Sequence, residues 1–134
     1  MKTLPITASD EDILQAVREW VDLLVSERYM DAFAYLYHPT EEYWTPDLIR
    51  IVITNYGSIE PHQDGRTFKV TSLRMATGEF TPYHECEITR DAETSGNIWI
   101  DLPLNGQWSD LTAILDFHAI NGEIVLHLND IHVM

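Results

Sequence analysis

Asp130 and His132 stand two positions apart close to the C-terminus, and their side chains are the pair in this chain best suited to moving a proton. On an apolar wall a carboxyl is drawn upward and an imidazole downward in pKa, so both approach neutrality and suit general acid–base steps such as enolisation or dehydration. His84 is a third candidate. It shares its strand parity with Cys86 and Ile88, while Glu85, Glu87 and Thr89 take the opposite parity, so an inward His84 would either complete a pocket or be hydrogen-bonded in the core. Cys86 lacks a nucleophile motif and reads as a small buried hydrophobe. Asp116, His127 and His118 would gather on one sheet face as a trio of metal-type ligands. Without any H-x-x-x-H or Cys–His cluster, a cross-strand polar patch is the simpler reading and no metal is expected. No G-x-S-x-G and no Gly-rich phosphate loop occurs, so nucleophilic hydrolase and phosphate-loop chemistry are set aside, and no cofactor is expected.

These residues depend on the elements that carry them. Ser9 followed by Asp10, Glu11 and Asp12 is a helix start, and Ile13, Val17, Trp20, Val21 and Leu24 recur at helical spacing behind it. A second helix is expected over about 27–37, with Met30, Phe33, Ala34 and Tyr37 on one side, stopped by His38-Pro39. Thr45-Pro46-Asp47 opens a third helix over 46–56, ended by Gly57. The period then changes to two, and strands are expected over 67–77, 83–90, 97–104, 111–120 and 123–133. Asn121-Gly122 predicts a type I′ hairpin that sets Ala119 opposite Ile124, Phe117 opposite Leu126 and Leu115 opposite Leu128 on the face that meets the helices. There Trp20, Val21 and Leu24 should pack. Extended to the C-terminus, the same register places Asp130 beside Ala113 and His132 beside Leu111 on the inner wall. A bulge near Asn129 would instead turn both outward, and then they would be solvated or capping residues.

Charge narrows the partners. The chain has 134 residues, a length that suits one domain over 1–134, and 45% of them are hydrophobic, as in ordinary globular sequences. It carries 22 acidic against 8 basic residues, a net charge of -14, and no Lys or Arg follows Arg90. Such a surface repels nucleic acid and anionic lipid and speeds the approach of a basic protein, unless its acids serve only solubility. No apolar run is long enough to span a bilayer, the opening residues lack the apolar segment of a signal peptide, and Cys86 is the only cysteine. The expected location is cytoplasmic.

The order of elements, three helices and then antiparallel strands closing in a long hairpin, resembles the NTF2-like superfamily. The closing segments WSDLTAILDF and LNDIHVM are similar to a bacterial branch of that group, some members of which resemble toxin-immunity proteins. The resemblance implies an α+β cone whose curved sheet wraps a pocket roofed by helices, a fold that serves isomerases, dehydratases, cyclases, transport factors and binding modules alike. Some pocket enzymes of the superfamily use an Asp or a His–Asp arrangement.

Two functional readings follow. The first is a non-catalytic binding protein that engages a basic protein partner, as an immunity-type protein would, or a small apolar ligand. The second is a cofactor-free lyase or isomerase acting through Asp130, His132 or His84. The hairpin parity also turns Trp99, Ile114, Ile120, Val125, Ile131 and Val133 outward. A patch of that kind predicts a homodimer formed through the outer sheet face, unless a bulge returns some of these residues to the core.

Overall fold

Ser9 starts the first helix through a reciprocal pair of bonds: its Oγ accepts the Asp12 N–H at 3.2 Å, and the Asp12 carboxylate accepts the Ser9 N–H at 3.1 Å. This capping box satisfies two donors that have no partner inside the helix, and the acids of the first turn face its positive end. In the computed structural model, which describes residues 1–78, 82 and 85–134, helix α1 spans Asp10–Val25 and buries the expected Ile13, Val17, Trp20, Val21 and Leu24 together with Ala16.

Helix α2, Tyr29–Tyr35, is shorter than the expected 27–37, and its buried side differs. Glu27 adopts a φ of 56°, so the helix begins only after a turn and its phase is reset. Ala32 becomes the buried residue, Leu36 is buried just past the end, and Met30 is 77% exposed. The contact that selects this face is the Trp20 indole, which donates to the Ala32 carbonyl at 3.2 Å. Helix α3, Pro46–Thr54, agrees with its sequence signals: Thr45 Oγ1 accepts the Leu48 N–H at 3.0 Å and Pro46 occupies the first turn.

Five strands, β1 (Leu4–Pro5), β2 (Glu85–Ala92), β3 (Ser95–Asp101), β4 (Leu111–Ile120) and β5 (Glu123–Val133), form one curled antiparallel sheet in the order β1-β5-β4-β3-β2. With three helices this is an α+β architecture. The expected strand over 67–77 does not form. Val70 and Thr77 make only isolated bridges, to Leu104 and Gln107. Side chains there do what a neighbouring strand would do: Asn105 Oδ1 accepts the Lys69 N–H, its amide donates to the Thr67 carbonyl, and Ser72 Oγ accepts the Arg74 N–H. The Ser72 bond is local and competes with a ladder, while the Asn105 side chain takes up backbone groups 36 and 38 positions away.

Asn121 and Gly122 have φ of 51° and 80°, as a type I′ turn requires, and the pairs Ala119–Ile124, Phe117–Leu126 and Leu115–Leu128 form as expected. The inner residues Ile98, Ile100, Leu115, Phe117, Leu126 and Leu128 join Trp20, Val21 and Leu24 in one buried apolar cluster. Beyond Leu128 the register shifts. Leu115 pairs with Leu128 but Ile114 pairs with Asp130, so Asn129 is an extra residue in β5. Arg90 ties the far side of the sheet to the helices, reaching Asp10 at 2.6 Å and the Ala8 carbonyl at 3.2 Å while its guanidinium lies 5.3 Å from the Phe117 ring centroid. Among the described residues no helix is long and apolar enough to cross a membrane.

Candidate functional site

The Asn129 bulge decides where the candidate residues stand. It places Ile131 opposite Ala113 and Asp130 opposite Ile114, so Asp130 and His132 lie on the outer face instead of the inner wall that a regular hairpin would give them. The bulge is held from two sides: the Asn129 amide donates to Asp116 Oδ2 at 3.1 Å, and its carbonyl accepts the Trp44 indole N–H at 3.3 Å. The two residues do meet. His132 Nδ1 lies 2.7 Å from Asp130 Oδ2, and Asp130 Oδ1 accepts the Ile131 N–H at 2.9 Å. Their side chains are 40% and 49% exposed, so the pair has no enclosure to exclude water. His84 lies outside the described residues.

The same shift corrects the outer patch. Ile131 turns into the core and is only 2% exposed, and Val133 turns toward Gly57 at the end of α3. Val125 remains on the outer face but is buried within the chain itself. Trp99 and Ile114 are left as cross-strand neighbours, both half-buried. Around them register places Glu87, Asp130, Asn97, Asp116 and Thr112. Thr112 Oγ1 donates at 2.6 Å to the carboxylate of Asp101, a fully buried acid. No Lys or Arg belongs to β3, β4 or β5, so this face is a half-buried aromatic–aliphatic pair rimmed by carboxylates and histidines.

Asp116 pairs with His127 as the register predicts, at 4.0 Å, but His127 approaches Glu42 more closely, at 3.5 Å. His118 instead meets the Tyr37 ring edge-on. Among the described residues no group of three His, Cys, Asp or Glu side chains could hold a metal ion. His38, read in the sequence only as part of a helix stop, and Glu42, which the sequence did not single out, belong to this polar cluster. The signal was faint because they reach it only through the path of the segment after α2.

On the inner face of the sheet, apolar side chains from β3, β4 and β5 join the buried cluster under α1. A cavity of about 820 Å³ opens instead at the β2 side, between α1 and the start of that strand, lined by Arg18, Asp22, Arg74, Glu85, Cys86 and Trp108 among others. Four of these described lining residues, Arg18, Asp22, Arg74 and Glu85, are charged. Cys86 takes a φ of 113° at a register shift in β2, and burial pushes its thiol up to about 11, away from thiolate chemistry.

No family model matches the chain, no curated protein matches it, and no solved structure matches its fold.

Proposed function

We infer that this chain is a binding protein of the NTF2-like type that docks a basic protein partner on the outer face of its sheet. The observation that carries this reading is the composition of that face: Trp99 and Ile114 side by side, with Glu87, Asp116 and Asp130 around them and no cation on the three central and C-terminal strands. A half-buried aromatic at the centre of a charged rim is the arrangement that supplies binding energy, while the rim sets orientation and on-rate. The net charge of -14 favours a cationic partner over a second copy of the same chain, which would bring its own carboxylates to the contact. Three helices on a curled antiparallel sheet support the superfamily likeness. The lyase or isomerase reading loses its main support, because Asp130 and His132 form an open, water-exposed pair in place of an inner-wall site.

The test is affinity capture from the source cells with the wild-type chain and with a variant carrying Asp116→Lys and Asp130→Lys. The expected result is a basic protein retained by the wild type, released as the screening length falls from about 10 Å at 0.1 M salt to about 3 Å at 1 M, and lost from the variant. Equal capture by both chains would refute docking on this face. A light-scattering mass twice that of one chain, lost on Trp99→Glu, would assign the face to a homodimer.

A further inference from the structure

The segment 37–44 leaves α2, meets the edge of β5 beyond its pairing with β1, and ends at the Thr45 cap of α3. Its Tyr37 N–H donates to the Leu126 carbonyl at 2.7 Å, and Trp44 closes the far end on Asn129. Between these two points the segment is held by His38. The His38 ring stacks on Phe33 with centroids 3.7 Å apart and planes 15° from parallel. Its Nε2 lies 2.5 Å from the Phe33 carbonyl oxygen, and its Nδ1 lies 2.7 Å from Glu42 Oε2.

Both partners are acceptors. A neutral imidazole has one N–H and one lone pair, so either tautomer would set a lone pair against an oxygen at hydrogen-bond distance. Only the imidazolium has a donor for each. We propose that His38 is a protonation-operated clasp: as the imidazolium it ties the end of α2 to Glu42 and holds segment 37–44 against β5, and loss of its proton releases that segment from the strand edge.

The surrounding groups fit this role. The second Glu42 oxygen accepts the Trp44 N–H at 3.2 Å. From β5, His127 Nε2 faces Glu42 at 3.5 Å, a buried nitrogen with no hydrogen-bond partner. From β4, Asp116 faces the other His127 nitrogen and is itself bonded by Asn129. From α2 the ring meets the Phe33 carbonyl, at the helix end where cations are favoured. No Lys or Arg is paired with either carboxylate in this cluster among the described residues. Burial acts to raise Glu42, but the His38 bond, the Trp44 N–H and the two histidine charges outweigh it and hold the carboxyl below its ordinary value. Glu42 therefore keeps its charge to a lower pH than an ordinary carboxyl would.

Two measurements on the intact chain decide the matter. Long-range ¹⁵N correlation of the histidine rings should show both His38 nitrogens protonated in the folded protein. When that signature titrates away, exchange of the Tyr37 amide should accelerate by about tenfold beyond the rise that hydroxide catalysis alone produces, the equivalent of one hydrogen bond to a charged group. In Glu42→Gln both events should move to lower pH together. A His38 ring that is neutral while the Tyr37 amide is still fully protected would overturn the proposal, as would Tyr37 exchange that follows hydroxide alone through the titration. If Glu42→Gln does not fold, the wild-type comparison decides by itself.

Discussion

Gly96 lies on β3 opposite Arg90 and Phe117, and replacing it with alanine tests the packing of the sheet most directly. A Cβ built there would stand 2.2 Å from the Thr89 carbonyl oxygen and 2.9 Å from both the Arg90 Cα and the Phe117 ring. Ordinary contact begins near 3.4 Å, so β2 would have to retreat by about 1.2 Å, the difference between 3.4 and 2.2. The first contacts are backbone, so no flexible side chain can absorb the shift. Overpacking typically costs about 1–3 kcal/mol. A displacement of that size also opens the neighbouring pairs Arg90–Gly96 and Thr89–Asn97, at about 0.5–1.5 kcal/mol for each hydrogen bond lost. The expected destabilisation is thus about 2–6 kcal/mol, a large share of a small domain's stability of about 5–15 kcal/mol. Gly122→Ala is the control. Nothing lies within 4 Å of its added Cβ, and its φ of 80° costs only the left-handed strain of about 1–2 kcal/mol. Urea unfolding followed by tryptophan fluorescence measures both. A Gly96→Ala loss under about 1 kcal/mol, or one smaller than that of Gly122→Ala, would refute the close approach of β2 to β3.

Leu115→Ala removes a fully buried side chain from the core beneath α1 and should cost about 2–5 kcal/mol in the same assay. Cys86 should resist alkylation at neutral pH, and its thiolate absorbance should appear only near pH 11, because burial holds the proton on. Glu42 has a depressed pKa in the folded state, so its contribution to stability is complete above the ordinary carboxyl range and is lost as the pH falls through the folded value. Glu42→Gln should accordingly flatten the acid limb of a stability–pH profile, and an unchanged slope would show that the carboxylate gains nothing from His38.

Much of the fold was legible because its signals were local. Ser9 with its acids, Thr45-Pro46, and Asn121-Gly122 each set backbone geometry within a few residues, and the hairpin gave the pairs from Ile120–Glu123 to Leu115–Leu128 correctly. What failed depended on distant contacts. The bulge that turns Asp130 and His132 outward is held by Trp44, 85 positions earlier in the chain, and by Asp116 on the neighbouring strand. A period-two pattern registers no extra residue, so the regular hairpin put Asp130 and His132 inward and Ile131 and Val133 outward, and the bulge near Asn129 that reverses them stood only as the alternative. The face of α2 was misread for a similar reason, since a turn at Glu27 reset its phase and Trp20 chose Ala32. β1 was missed because two residues carry no periodicity.

The segment that follows α2 also governs how this chain behaves among copies of itself. Along β5, Leu4 and Pro5 pair with Ile124 and Glu123, Tyr37 takes the Leu126 carbonyl, and Trp44 takes that of Asn129. The short strand β1 and the segment 37–44 thus share the edge of β5 between them, and β1 brings a proline that cannot donate to an incoming ladder. At the opposite border, β2 is broken by two register shifts and carries carboxylates. Sheet edges left flat and open are templates for fibril growth, and irregular, charged or patched ones are not. Conditions that loosen residues 37–44 should therefore increase aggregation through the β5 edge before the core melts.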